Sequence, residues 1–470
     1  MFQNITHLLV DNPPQLNYGV AVCDVDRDGQ DEIFVAGFGF RNQVLKWDGK
    51  SFRDVAIDLM MDPHRQAIGV AAGDLEGDGQ EEIYVLTSDV FAGEKNFGDR
   101  LYDCRDGQWL DLFSLPEGML NDNMTAGRSV AWIDRQGNGR YACMVANYGG
   151  PMRLYEAGPA GRLRDVASDA GVALTTGGRA LLPAPLFGTA TDIVALNENG
   201  PNFVFKNDGA GKFSEVAAEV GIADEAQHGR GIALLDDPET GRPALVYGNW
   251  EGPHRFYQQT EPGRFSDIAP DAMNRPSRVR TVLAADFDND GYQEIYFNNI
   301  TEPNRMFKYN GQVWELQSPG EALEPTDLGT GGAVGDFDGD GQLELLLSHG
   351  EMAPQELTLY KTGANNNKWL RVRPLTQWGA PARGAQVTIT YSDDESASGG
   401  YLADGMRLQH RVIDGGSGYL CQMEPVAHFG LGAYSGEVTI TVTWPDATTH
   451  TTTAKRLNRQ LIVPHPKLKS

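Results

Sequence analysis

The stretch Asp286-Phe-Asp-Asn-Asp-Gly-Tyr-Gln-Glu294, followed by Ile295-Tyr-Phe, decides how the rest of the chain is read. Acids stand at its first, third, fifth and ninth positions, a glycine follows the third acid, and an apolar run comes next. Such a loop can wrap one hard cation, because Ca²⁺ takes about six to eight oxygens from carboxylates and a backbone carbonyl. The motif returns as Asp24-Val-Asp-Arg-Asp-Gly-Gln-Asp-Glu32, Asp74-Leu-Glu-Gly-Asp-Gly-Gln-Glu-Glu82 and Asp336-Phe-Asp-Gly-Asp-Gly-Gln-Leu-Glu344. An EF-hand needs a bidentate glutamate at the twelfth loop position. Val35, Val85, Phe297 and Leu347 stand there, between flanks patterned as strands, so the EF-hand is excluded.

Counting outward from the first acid gives Asp24, Asp74, a degenerate copy at Asp134, a faint one near residue 185, then Asp236, Asp286 and Asp336. These are seven units of roughly fifty residues, the period of propeller blades. Each opens on a Gly-rich apolar strand such as Tyr18-Gly-Val-Ala-Val22 or Ile68-Gly-Val-Ala-Ala72, then the loop, then a strand such as Glu32-Ile-Phe-Val-Ala36. Third strands read Gln43-Val-Leu-Lys-Trp47, Arg153-Leu-Tyr155, Phe203-Val-Phe-Lys206, Arg255-Phe-Tyr257 and Arg305-Met-Phe-Lys308; fourth strands read Phe52-Arg-Asp-Val55, Phe213-Ser-Glu-Val216 and Phe265-Ser-Asp-Ile268. Unit seven has its third strand, Leu357-Thr-Leu-Tyr360, but no fourth. Phe2-Gln-Asn-Ile5 is predicted to fill that place and close the ring, which removes an exposed sheet edge. The expected fold is all-β: a seven-bladed propeller over residues 1–363 and a small β-sandwich over 368–470. Gly363-Ala-Asn-Asn-Asn367 is the linker, and Glu437-Val-Thr-Ile-Thr-Val-Thr-Trp444 carries the sandwich's alternation.

A formal charge of −25 excludes a nucleic-acid binder, which presents a basic face. Sixteen of the 64 acidic residues are side-chain ligands of the four loops, so part of the acidity is a metal-site signature. No apolar run reaches membrane-spanning length. Met1-Phe-Gln-Asn4 lacks the basic start and apolar stretch of a signal peptide, which keeps a cytoplasmic location open. Cys23, Cys104, Cys143 and Cys421 are widely spaced, which predicts buried free thiols rather than a disulfide framework or a zinc site.

The predicted cofactor is Ca²⁺, up to four ions, in a structural role. In each loop the first, third, fifth and ninth side chains and the seventh carbonyl are the expected ligands. The sets are Asp24, Asp26, Asp28, Gln30 and Glu32; Asp74, Glu76, Asp78, Gln80 and Glu82; Asp286, Asp288, Asp290, Tyr292 and Glu294; and Asp336, Asp338, Asp340, Gln342 and Glu344. Unit two, with Glu76 at position three, departs furthest from the pattern. Asp134-Arg-Gln-Gly-Asn138, Leu186-Phe-Gly-Thr-Ala190 and Asp236-Asp-Pro-Glu-Thr240 have lost the ligands, so the calcium blades six, seven, one and two are contiguous around a closed ring.

Six residues before each loop's first acid lie Tyr18, Ile68, Arg128, Arg179, Arg230, Arg280 and Thr330. Four consecutive arginines at one place in the repeat are expected at the rim of the central channel, opposite the calcium loops. Gln66, His228 and Arg278 share their strand face. Asn147, Asn249, Asn299 and His349, thirteen residues after the acid, are expected at the same rim. The arginines read either as a site for a carboxylate, phosphate, sulfate or acidic glycan, or as ties to the carbonyls of neighbouring blades. No G-x-S-x-G, H-E-x-x-H or P-loop motif is present. The weak catalytic candidates are His228 and His349. His428 is expected to be packed, and Trp369 and Trp444 to anchor the small domain's core.

The seven units resemble FG-GAP/VCBS repeats, the propeller family that includes the integrin α head. The last hundred residues resemble the ASPIC/UnbV domain through Lys368-Trp-Leu-Arg-Val372, Gly384-Ala-Gln-Val387, Gln409-His-Arg-Val412, Gly418-Tyr-Leu-Cys-Gln422, His428-Phe-Gly-Leu-Gly432 and Val442-Thr-Trp-Pro-Asp446. The pairing is similar to the cartilage acidic protein family over nearly the whole chain. Two departures stand out: all four loops carry Glu where the family usually has Asp at position nine, and Ala447 replaces the glycine common after Trp-Pro-Asp. The resemblance implies an extracellular or periplasmic, calcium-stabilised binding or adhesion protein whose partner is a protein, a glycan or an anionic small molecule. The competing class is a calcium-dependent lyase, cyclase or hydrolase working at the arginine-rich mouth.

Overall fold

The computed structural model describes residues 1–116, 121–158, 162–394 and 396–468. About half of it is strand, with very little helix, and through Thr362 the strands form four-stranded units that follow the repeat. Blade one runs Asn17–Cys23, Glu32–Gly37, Gln43–Trp47 and Phe52–Asp54, each strand antiparallel to the next. Blade two starts at Ala67–Gly73, blade three at Gly127–Ile133, blade four at Thr175–Ala184, blade five at Gly229–Asp236, blade six at Val279–Ala285 and blade seven at Gly329–Gly335. Each of these first strands packs against the first strand of the next unit, and the seventh packs against the first, so the ring is closed. Small residues permit this approach. A Cβ on Gly19 would lie 2.8 Å from the Cα of Gly69 in the next blade.

The ring is sealed as expected from the chain's beginning. Phe2–Asn4 pairs with Thr358–Thr362, with Phe2 opposite Thr362 and Asn4 opposite Tyr360. Phe2 is buried and meets Phe287 edge to face at 4.8 Å. The sequence did not foretell the joining of blades three and four. Their second and first strands are ten residues long, Ala142–Pro151 and Thr175–Ala184, and they pair beyond the blade body from Tyr148 opposite Gly177 to Pro151 opposite Thr175. The four cysteines are buried and free.

The C-terminal part forms two sheets. Ala427–Gly432, Lys368–Pro374 and Arg459–Val463 make one; Tyr401–Ala403, Met406–Val412, Gln386–Ser392, Val438–Thr443 and Thr449–Ala454 make the other. Their facing sides bury Leu370, Val372, Val387, Ile389, Phe429, Ile440 and Val442, with Trp444 at the edge of the cluster donating its Nε1–H to Leu375 O at 2.8 Å. Trp369 does not join this core. It lies half-buried on the propeller's seventh loop, where a Cβ on Gly341 would collide with its ring. Its strand is the central one of the three-stranded sheet, and the ring lies on the side of that sheet turned to the propeller. Ala447 has φ 62°, the left-handed conformation that glycine adopts without strain.

The segment Asp414–Glu424 leaves the sandwich and enters the propeller's central channel. Its backbone bonds to the innermost strands: Ile232 and Gly418 exchange two N–H···O bonds of 2.7 Å, Trp132 N donates to Gly415 O at 2.7 Å, and Gln422 N donates to Val20 O at 2.9 Å. The Gln422 amide adds a reciprocal pair with Ala72, at 2.8 and 2.9 Å. Inner strands otherwise present a row of unpaired groups to the channel, and a buried unpaired backbone group is costly. The segment satisfies many of them.

Two outcomes test this architecture. Phe2→Ala removes a buried ring from the closure and is expected to lower unfolding free energy by about 3 kcal/mol in denaturant titration. Gln422→Leu leaves the Ala72 N–H and C=O without partners inside the channel and is expected to cost about 2 kcal/mol.

Candidate functional site

In every acidic loop the first residue's carboxylate accepts from the sixth residue's N–H. Asp24 accepts from the N–H groups of Asp28 and Gly29 at 3.1 and 2.9 Å, and Asp286 from Asp290 and Gly291 at 3.1 and 2.8 Å. The sixth residue must turn left-handed, and Gly29, Gly79, Gly291 and Gly341 do so at φ 86–94°. The ninth residue explains why glutamate stands there. One oxygen of Glu32, Glu82, Glu294 and Glu344 reaches back to the N–H of the second residue, Val25, Leu75, Phe287 or Phe337, at 2.6–2.9 Å. In loops one, six and seven the other oxygen is buried and faces a lysine ammonium, Lys46 at 3.1 Å, Lys308 at 3.1 Å and Lys361 at 2.5 Å, while Asp288 Oδ1 and Asp336 Oδ1 are buried with no hydrogen bond.

Those orphaned oxygens are the test of whether a divalent cation fits. Asp24, Asp26 and Glu32 bring ligand atoms within 4.8 Å of one another, as do Asp286, Asp288 and Asp290, and Asp336, Asp338 and Glu344. Burial, with neighbouring carboxylates adding to it, lifts Asp286 to about 8 and Glu344 to about 8. In Glu344 the Lys361 ammonium opposes that lift. Burial lifts Asp74 to about 7. An all-oxygen, hard-donor set with buried, unpartnered lone pairs suits Ca²⁺. Loop two differs: Glu76 is drawn 2.8 Å from Arg105 Nη2, and Arg105 Nε binds Asp103 at 2.6 Å. The degenerate loop of blade three keeps only the turn, with Asp134 accepting from Asn138 and Gly139.

The loops face the C-terminal domain, whose arginines descend on them. Arg373 grips Asp31 at 2.7 and 3.0 Å, Arg383 grips Glu81 at 2.5 and 3.3 Å, Arg371 meets Asp336, and Arg411 reaches Asp236 at 3.4 Å. His428, packed as expected, meets Asn289 Oδ1 at 2.5 Å, and Gly430 N donates to Asp286 at 3.0 Å.

At the arginine end of the channel, Arg128, Arg179, Arg230 and Arg280 surround Tyr419, the residue at the turn of the inserted segment. Burial opposes ionisation of the Tyr419 hydroxyl, yet the four guanidiniums bring it below its usual range. The arginines alternate with aromatic rings. Arg128 lies between Phe91 and Tyr148, Arg179 is 4.7 Å from the Tyr148 centroid, and Trp250 takes Arg230 at 5.4 Å and Arg280 at 4.7 Å. Two carboxylates answer the four cations: Glu198 holds Arg179 and Arg230, the latter at 2.7 Å, and Glu351 holds Arg280 at 2.6 Å. Arg128 pairs with none among the described residues and donates to Ser88 Oγ and to the carbonyls of Gly127 and Phe91.

The neighbours expected at this rim are placed otherwise. Asn147, Asn249 and Asn299 are buried, and each donates to the carbonyl of a proline four residues on, Pro151, Pro253 or Pro303, at 2.7–2.8 Å. They fix the turn; the next residue, Tyr148 or Trp250, supplies the rim. Asn197 and Glu198 repeat that arrangement in blade four. His349 is buried between Glu324 Oε2 and Glu356 O, both at 3.0 Å, and belongs to blade seven's interior. His228 sits beside the rim with its Nδ1 buried and unbonded. Arg278 faces outward to Glu251 at 2.8 Å.

Residues 376–470 match the ASPIC and UnbV family, and residues 17–85 and 239–297 match the FG-GAP-like repeat. Human cartilage acidic protein 1 is 45% identical over 473 residues, covering 93% of this chain and 70% of the human one. The chain is a member of the cartilage acidic protein family. The mouse protein is 44% identical, covering 97% of this chain and 75% of its own length, and the Xenopus tropicalis protein is 45% identical. Among solved structures, BBS1N in complex with ARL6DN covers 78% of this chain and 96% of its own at 13% identity and a TM-score of 0.47. YCF48 bound to D1 peptide covers 77% and 95% at 10% identity and a TM-score of 0.45. The fold assignment stands on the sheets themselves. In this family member the loops and the rim lie at opposite ends of the channel, joined by the inserted segment.

Glu198→Gln leaves Arg179 and Arg230 without their shared carboxylate in a buried setting. The expected outcome is a loss of about 3 kcal/mol in unfolding free energy, read from chemical denaturation, with Glu251→Gln at the exposed Arg278 pair near zero.

Proposed function

We propose that this protein is an extracellular or periplasmic calcium-loaded binding protein, with a propeller over residues 1–363 and a second domain over 368–470. Calcium in the loops of blades one, two, six and seven stabilises the ring, and the arginine rim is the recognition surface. The observation that carries the reading is the rim's charge: four guanidiniums against two carboxylates, framed by Tyr148, Trp250 and Phe91 above Tyr419. In a chain of net charge −25 this is a local reversal of sign. Planar guanidiniums suit carboxylate, sulfate and phosphate groups, and aromatic faces beside them suit the apolar side of a sugar or a ring. An anionic glycan or an acidic side chain of a partner protein has that chemistry.

Calcium's part is thermodynamic. An ion that binds the folded ring and not the unfolded chain stabilises it in proportion to the logarithm of its concentration over Kd. The relatives' name, cartilage acidic protein 1, fits a chain of net charge −25, and it supports placing this protein outside the cytoplasm.

Two measurements check the reading. Chelation is expected to lower the melting temperature and calcium to restore it; one curve in both conditions contradicts the metal sites. Glycan and anion arrays, probed with and without calcium, are expected to return acidic ligands whose binding falls at least about tenfold in Arg179→Ala/Arg230→Ala. Unchanged binding of every anion that docks to the parent removes the rim from the account.

A further inference from the structure

The third strand of three acidic-loop blades carries a lysine at one register position. Lys46 follows Leu45, which lies opposite Ile33; Lys308 follows Phe307, opposite Ile295; Lys361 follows Tyr360, opposite Leu345. Each side chain bends into its own blade's loop. Lys46 Nζ meets Asp26, Asp28 at 2.7 Å and Glu32 at 3.1 Å. Lys308 Nζ meets Asp288, Asp290 at 2.8 Å and Glu294 at 3.1 Å. Lys361 Nζ meets Asp338 at 2.7 Å, Asp340 at 2.9 Å and Glu344 at 2.5 Å. The three carboxylates are the third, fifth and ninth positions every time. An ion bound by those same side chains at roughly 2.3–2.6 Å stands where the ammonium nitrogen stands. Two cations cannot share that point.

We infer that Lys46, Lys308 and Lys361 are tethered resident cations of their loops, and that calcium enters each loop only as the ammonium swings out. The inference rests on the reading of the loops as calcium sites. It makes those three loops exchange sites: the ring keeps a cation in each without metal, and calcium affinity there is set by competition with a group of the same chain. The second loop is built differently. Its equivalent register position, one past Tyr102 opposite Ile83, is Asp103, held by Arg105 at 2.6 Å. Among the described residues no lysine pairs with the acids of that loop. The carboxylate groups that converge among the described residues are those of the three lysine loops, as expected where an ammonium gathers them. Blades three, four and five, whose loops lost the acids, have Glu156, Lys206 and Gln258 at this register, and Lys206 lies over the Phe187 ring instead.

Lysine acylation of the full chain, read by mass spectrometry in chelator and in saturating calcium, tests this beside calorimetric calcium titration of the same sample. The expected result is that Lys46, Lys308 and Lys361 react at least about tenfold faster with calcium, while exposed Lys50 does not change. Calcium heat without any change at the three lysines overturns the exchange and leaves the calcium loops standing. No calcium heat overturns both. As a second arm, Lys46→Met/Lys308→Met/Lys361→Met is expected to bind calcium at least about tenfold more tightly at three sites and to melt lower without metal. Lys361→Met alone reads one site should the triple variant not fold. Parental affinity in either variant overturns the inference.

Discussion

Four carboxylates held within nine residues by a left-handed glycine repel one another. At separations of about 4 Å and an effective dielectric of about 20, each pair costs on the order of 4 kcal/mol. The loops answer this in layers. Backbone N–H groups cap the first acid, the ninth acid turns one oxygen to the second residue's N–H, and an ammonium lies among the other carboxylates in three loops. The lifted Asp74, Asp286 and Glu344 show that this compensation is partial, with burial as the leading cause. A divalent ion bound there would complete it.

The same unsatisfied charge organises the second domain. Arg371, Arg373, Arg383 and Arg411 reach acids of blades seven, one, two and five, so the sandwich sits on the loop face as a set of tethered cations. From that seat the segment Asp414–Glu424 enters the channel and carries Tyr419 to the other end, among the rim arginines. Acidic loops, second domain and rim are therefore joined by a continuous set of contacts.

Much of this was legible in the sequence. The period of about fifty residues, the Gly-rich first strands, the Phe-x-x-Val fourth strands and the displaced Phe2 strand are local patterns that a repeat makes visible. The acidic loops followed from one spacing repeated four times. What escaped were relations between distant segments. Gly415, Gly416 and Gly418 break periodicity, so nothing local marks their segment as one that enters a channel. Asn147, Asn249 and Asn299 were assigned to the rim because they recur there; they recur because the turn ending in Pro151, Pro253 or Pro303 needs them. The rim residue was one step further, in Tyr148 and Trp250. Lys46 and Lys308 stood in the quoted third strands, where an alternate polar position reads as a solvated face. Only the fold shows which loop that face meets.

The central claim is that the acids of blades one, two, six and seven form separate divalent-cation sites, one per loop. The most direct measurement is the number of calcium ions that one chain retains, counted by native mass spectrometry after metal removal, calcium loading and exchange into volatile buffer. The account predicts four in the parent chain and one in a variant carrying Asp28→Asn, Asp290→Asn and Asp340→Asn. A parent chain that retains none, or a variant that retains as many ions as the parent, would contradict it.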